Sequence, residues 1–270
     1  MTGTIGNLSL LAATVVAGAG LFASVAAGRS GDESTRARRL MVARSALAAA
    51  AAFLGVSAVA LGWALFRADL SLDYVEKHVE VSMPGVLRVA ALWSGQEGSL
   101  LLWAALTGAV GSIAALGRRK LRGPGEAGTL GVFAAMSLLF GVLLLSAASP
   151  FRLAPEIESD GRGLHPQLQH WAMTVHPPLV LAGYAAFTVP FAIAFGAMLA
   201  RRRDAGWTGE LRRWTLGAWT VLGAGMALGA WWAYAELGWG GYWAWDPVEN
   251  ASLMPWLSAT ALVHSIGAQR

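Results

Sequence analysis

Seven stretches of the chain carry no Asp, Glu, Lys or Arg, and each is long enough to cross a bilayer. They are Ile5–Ala27, Ser45–Phe66, Gly98–Gly117, Ala127–Ala148, Pro177–Ala200, Trp214–Ala235 and Ala251–Ala268. A hydrocarbon core about 30 Å thick is crossed by roughly 20 apolar residues in a helix. Inside it every backbone N–H and C=O must find a partner within the protein, so each stretch predicts a helix. The alternating ten-residue pattern of membrane strands is absent. The expected fold class is therefore all-α, a polytopic integral membrane bundle of about seven transmembrane helices. Composition agrees, with 56% hydrophobic and only 13% charged residues over 270 positions. Typical soluble domains are about 25% charged. With no cysteine, disulfides, thiolate metal sites and a Cys nucleophile are excluded.

The charges between the spans set an orientation. Loops after spans one, three and five, with the C-terminal end, hold Arg29, Arg36, Arg38, Arg39, Arg44, Arg118, Arg119, Lys120, Arg122, Arg201, Arg202, Arg203, Arg212, Arg213 and Arg270. These are 15 of the 20 basic residues, against 5 of the 16 acidic ones. The positive-inside rule then puts the N-terminus outside and the C-terminus in the cytoplasm. No basic residue precedes the first span and several follow it, which is the wrong order for a cleaved signal peptide. The net charge of +4 thus reflects membrane topology, and no nucleic-acid partner is expected.

The cytoplasmic loops are short, and Gly123-Pro124-Gly125 marks one as a plain connector. The outer loops, Arg67–Glu97, Ser149–His176 and Glu236–Asn250, are longer than a turn requires. Any site is expected on the outer face or inside the bundle. The third outer loop is the most unusual. Six of the 13 tryptophans lie between positions 231 and 256. An interfacial aromatic belt accounts for Trp231, Trp232 and Trp256. It accounts poorly for Trp239, Tyr242, Trp243 and Trp245, which sit among Gly238, Gly240 and Gly241. Glycine gives the backbone freedom and close approach, and Pro247 stops a helix from running through. Flat rings on a shaped, non-helical segment suit a large planar ligand. At this level belt and ligand platform both stand. Asp246 and Glu249 read as fixing the loop by Asx-type bonds and helix N-terminal charge. Glu97 is a further candidate for orienting the platform.

Two of the five histidines are ligand candidates. His176 precedes Pro177 and Pro178, and proline in a first turn fixes where a helix starts, so His176 is expected at the rigid outer mouth of span five. His264 lies within the last span, roughly 14 Å from Pro255 at helical rise. An ionisable residue inside a span marks a functional site by default. Imidazole is a common axial ligand of haem iron, and a porphyrin presents the flat face that stacked rings fit. His165, His170 and His78 read as solvated or hydrogen-bonded side chains, His78 on a surface helix across the outer face.

The segment Trp239-Gly-Gly-Tyr-Trp-Ala-Trp-Asp-Pro-Val-Glu-Asn-Ala-Ser-Leu-Met-Pro-Trp256 resembles the tryptophan-rich "WWD" domain of haem-handling membrane proteins. Within them the chain is most similar to the CcmF haem lyases of system I cytochrome c maturation. Ile5-Gly-Asn-Leu, Trp93-Ser-Gly-Gln-Glu-Gly-Ser-Leu-Leu-Leu-Trp103, Gly161-Arg-Gly-Leu-His-Pro-Gln-Leu-Gln and His176-Pro-Pro-Leu carry the resemblance along the chain in order. The system II counterpart, CcsA, shares the Trp-rich segment but usually continues differently after Asp-Pro, where this chain has Val248-Glu249-Asn250.

The resemblance implies haem received from a CcmE-like chaperone and presented to the Cys-x-x-Cys-His of apocytochrome c, beside a CcmH-like subunit. It implies His176 as an axial ligand to transient haem on the platform of Trp239, Tyr242, Trp243, Trp245 and Asp246. It implies His264 as an axial ligand to a resident haem b that reduces incoming haem iron. The setting would be a bacterial inner membrane, multi-pass among membrane lipid, with the functional face periplasmic. Residues 1–270 would be the N-terminal part of a haem-handling domain, with the platform at 236–256. Family members continue through more spans that supply the second ligands, so a C-terminal half is an expected partner and this chain alone an incomplete lyase. The alternatives are an exporter of haem or another flat solute, a CcsA-type synthetase subunit, and a plain b-haem electron carrier.

Overall fold

A computed structural model describes residues 1–117, 123–156, 158–202, 204 and 206–268. Nine α-helices are found among them: α1 Thr2–Gly28, α2 Glu33–Phe66, α3 Asp73–His78, α4 Gly85–Ala90, α5 Gln96–Leu116, α6 Glu126–Ser146, α7 Trp171–Leu199, α8 Thr208–Glu236 and α9 Pro247–Ala268. Single 3-10 turns cover Ala91–Trp93 and Pro166–Gln169. No strand occurs among the described residues, only an isolated bridge from Leu72 to Leu153. The fold is the expected polytopic helical bundle. Helices α1, α2, α5, α6 and α7 are long and apolar enough to cross a membrane. The other two expected spans are also helices of sufficient length, 29 residues in α8 and 22 in α9. Tryptophan, glycine, serine and threonine lower their hydropathy. Arg118, Arg119, Lys120, Arg122, Arg203 and Arg270, on which part of the orientation rests, lie outside the described residues.

Two helices start earlier than the uncharged stretches. α2 begins at Glu33 because Asp32 caps it, its carboxylate accepting the Thr35 N–H at 2.7 Å. Bonds from the Thr35 side chain and backbone hold the Asp32 carboxyl well below the usual range, at about 2. α7 begins at Trp171, capped by His170 Nδ1, which accepts the Ala172 N–H at 3.2 Å. The expectation that Pro177 and Pro178 open this helix is therefore corrected: both lie inside it. Pro177 lacks the N–H that would reach the carbonyl four residues back, at Met173. The indole Nε1 of Trp93 donates to that carbonyl instead, at 2.8 Å, and so fixes the outer segment before α5 against α7.

Close approach through small residues holds the bundle, as is usual where lipid removes the hydrophobic drive between helices. α1 lies against α2 and α6, and Ser57 Oγ of α2 donates to the Gly6 carbonyl of α1 at 3.0 Å. Thr129 of α6 donates to the Ala192 carbonyl of α7 at 3.2 Å. α7 and α8 pair antiparallel, and α9 packs chiefly on α8, where Trp256 stacks on Trp219 at 4.8 Å. Above α2 and α5 the first outer loop forms a built cap. Tyr74 is buried there, its hydroxyl donating to the Ala91 carbonyl at 2.9 Å and accepting the Gly95 N–H at 3.1 Å. That burial pushes its phenol above its ordinary range. Arg88 donates to the carbonyls of Met83 at 2.8 Å and Phe66 at 3.1 Å, and also to Val81.

On the opposite side, Arg44 of α2 grips the buried Glu126 at the start of α6, with Nε 2.6 Å from Oε1. Removing one partner of such a pair leaves a desolvated charge unmatched. Arg44→Ala is expected to destabilise the bundle by about 2–3 kcal/mol. Arg44→Met with Glu126→Gln should recover most of that. Thermal unfolding in nanodiscs measures both.

Candidate functional site

The glycine pattern of α8 builds the site. At three successive levels α7 and α8 meet where one of them has no side chain. A Cβ on Gly183 would stand 2.7 Å from Leu222 Cα, and one on Gly225 2.9 Å from Val180 N. A Cβ on Gly229 would overlap the imidazole of His176. The ring thus occupies the space that Gly229 leaves open. Its Nδ1 lies 2.8 Å from the Gly225 carbonyl oxygen. A carbonyl only accepts, so Nδ1 carries the proton and Nε2 keeps a free lone pair. Trp232, also on α8, lies nearly parallel to the imidazole, at 17° and 6.4 Å between ring centres. Its own Nε1 donates to the Gln167 carbonyl at 3.3 Å, bracing the second outer loop over α8.

His176 opens into a cavity of about 310 Å³ between α5, α7, α8, the Trp-rich loop and α9. Such a volume falls in the range of small-molecule sites. The walls are mostly apolar, with Val180, Leu181, Met226 and Leu237 among them. Trp232 and Trp243 supply the aromatic surface. The polar lining groups besides His176 are few: Ser99, Tyr184, Asp246, Glu249 and Ser252. The Trp243 Nε1 is buried without a hydrogen-bond partner. A buried orphan donor costs free energy unless a ligand or water takes it.

The Trp-rich segment is irregular from Leu237 to Asp246, and α9 starts at Pro247. Gly238 and Gly240 adopt φ of +70° and +78°, conformations open to glycine. Asp246 Oδ1 accepts the Glu249 N–H at 2.7 Å, capping α9. Glu249 Oε2 accepts the N–H groups of Ala244 and Trp245, each at 2.7 Å.

Of the residues expected on sequence grounds, the fold brings His176, Trp243 and Asp246 to one cavity. Trp239, Tyr242 and Trp245 do not line it. The Trp239 ring lies over Gly241, Tyr242 stacks on Tyr234 at 4.4 Å, and Trp245 is 69% exposed, edge-on to Trp243 at 6.1 Å. His264 lies apart from the cavity, on the exposed side of α9, its Nδ1–H donating to the Thr260 carbonyl at 2.8 Å. This too leaves Nε2 free. The remaining histidines make structural bonds. His78 Nδ1 is 2.7 Å from the Tyr74 carbonyl, and His165 and His170 cap a 3-10 turn and α7. His170 Nε2 also lies 3.7 Å from Glu236, and its ring packs near Trp231. Sequence reasoning assigned Trp232 to the belt and passed over Gly225 and Gly229. The four-residue spacing of those glycines, Gly225 and Gly229, was the readable signal.

The chain is thus a polytopic helical bundle with an imidazole held at an apolar cavity whose wall includes Trp232 and Trp243. The family profile described as Cytochrome C assembly protein matches residues 93–270. The chain belongs to that family. It is 44% identical over 228 residues to the cytochrome c-type biogenesis protein CcmF of Pseudomonas aeruginosa, covering 84% of this chain and 35% of that one. It is 43% identical over 212 residues to the probable cytochrome c-type biogenesis protein NrfE of Escherichia coli, covering 78% and 38%. A solved structure of a cytochrome c heme lyase CcmF superposes with a TM-score of 0.85 at 37% identity, over all of this chain and 42% of that one. The chain thus spans about a third of the length of these curated relatives.

Gly229→Ala is expected to push the imidazole off the Gly225 carbonyl. In histidine-labelled protein, ¹⁵N spectra should lose the single protonated-Nδ1 signature of His176, while Gly217→Ala, which meets open space, leaves it intact.

Proposed function

We propose that this chain is the haem-presenting part of a cytochrome c haem lyase. It would hold haem on the outer face for covalent attachment to the Cys-x-x-Cys-His of apocytochrome c. The observation that carries this reading is the fixed tautomer of His176. Its Nε2 lone pair is free at an apolar cavity whose wall includes Trp243, with an unpaired indole donor. These residues suit haem by donor chemistry: one nitrogen for the iron, aromatic faces for the macrocycle, and small residues where the ring must enter. Relatives of this length ratio carry the names cytochrome c-type biogenesis protein and heme lyase, which supports the class of reaction.

In this reading haem is the substrate, and its own vinyl groups form the thioethers. The chain's residues bind and orient. The Gly225 carbonyl holds the His176 imidazole plane, Trp232 and Trp243 flank the ligand, and the apolar walls exclude water. Asp246 and Glu249 keep the irregular segment in shape. His264 would hold a resident haem b through its free Nε2, and that group would supply reducing power to the site. Second ligands would come from the segment that follows in the relatives. CcmE-like and CcmH-like proteins would be partners. The bundle would sit in a bacterial inner membrane, with α8 and α9 also spanning, the N-terminus outside and the site on the periplasmic face.

The chain co-expressed with that following segment should purify with haem detectable as a pyridine haemochrome. His264→Ala should remove the resident b-type spectrum. His176→Ala should disturb only haem added at the outer site. A haem-free wild-type assembly would falsify the reading.

A further inference from the structure

We infer that Glu249 is the positioning residue of this site, the group that sets where Trp243 stands in the cavity wall it shares with His176. The inference rests on the haem reading for its binding consequence alone; the loop geometry stands apart from it. Trp245 adopts φ of +59°, in the left-handed region. A bulky side chain rarely sits there, and such strain persists only where the surroundings over-determine it. Burial does not supply the constraint, because the Trp245 ring is 69% exposed. The first turn of α9 supplies it.

Glu249 Oε2 takes two consecutive backbone donors, Ala244 N–H and Trp245 N–H, both at 2.7 Å. Asn250 Nδ2 donates to the Trp245 carbonyl at 3.1 Å. Asp246 Oδ1 fixes the Glu249 backbone at 2.7 Å, so the carboxylate works from a rigid base. Capping boxes usually return an acidic side chain to the N-cap N–H. Here the carboxylate reaches one and two residues further upstream and closes the chain into a loop. The negative charge lies at a helix N-terminus, where the macrodipole favours it. Trp243 directly precedes the clamped pair, and its ring lines the cavity beside Glu249 itself. Releasing the clamp frees the backbone that aims the indole.

The test compares Glu249→Ala with Glu249→Gln in full-length chain in nanodiscs. The glutamine oxygen still accepts two N–H groups but carries no charge. One readout needs no haem: chymotrypsin cleavage after Tyr242, Trp243 and Trp245. The other is retention of added haemin, followed by its Soret band, with His176→Ala as the reference for lost ligation. We expect cleavage at least about tenfold faster, and haemin retention about tenfold weaker, in Glu249→Ala. Glu249→Gln should restore both to within about threefold of wild type. Wild-type behaviour of Glu249→Ala in both readouts overturns the proposal. So does equal loss in the two variants, which would assign the effect to charge instead of the bonds. If wild-type chain retains no haemin, the haem reading fails, and cleavage still decides the positioning role.

Discussion

The contact between α7 and α8 governs the geometry of the cavity. Two helices come this close only where one lacks a side chain, and Gly183, Gly225 and Gly229 provide that at three successive levels. Close backbone approach gives dispersion contacts that lipid does not offer. It also brings the Gly225 carbonyl within reach of an imidazole on the other helix. The same few atoms therefore pack the bundle and fix the tautomer of His176. A larger residue at Gly225 or Gly229 acts on the helix contact and on the His176 ring together.

The second constraint is where irregular backbone is allowed. Within hydrocarbon it must be hidden in protein or line a cavity. The three long segments between α2 and α5, α6 and α7, and α8 and α9 carry much of this backbone, and each is tied down. Arg88 and Tyr74 hold the first, Trp232 and His170 the second, and Glu249 and Asp246 the third. Pro177 inside α7 follows the same logic: the carbonyl it frees at Met173 accepts from the Trp93 indole. The tryptophans thus have separate tasks. Some bond backbone groups at element junctions, Trp243 walls the cavity, and Trp245 stands out in the open.

Helical class and approximate spans were legible because uncharged length is a property of composition over some 20 residues. The starts of α2 and α7 were not. Both depend on a single capping bond, from Asp32 and from His170, and charge counting does not register such bonds. His176 and Trp243 could be picked out by residue type and surroundings. Their meeting required the α7–α8 register, which no local window contains. Trp239, Tyr242 and Trp245 share the composition of Trp243 but turn elsewhere. Gly238, Gly240 and the left-handed Trp245 redirect the chain between them. Aromatic density marks a segment, whereas backbone sign decides which ring faces the cavity.

On the haem reading, one feature of the site suits transfer more than storage. Its orienting groups are held by the protein's own bonds: the Gly225 carbonyl holds the His176 ring, and Glu249 holds the backbone beside Trp243. A resident cofactor is held by strong ligands on both faces in a closed pocket. A cargo needs an orientation, a partly open side and an affinity low enough to release. Fixing the tautomer and the Trp243 wall achieves orientation through the protein's own bonds, before any ligand arrives. Pre-organisation of that kind lowers the ordering cost of binding without adding contacts that must later be broken.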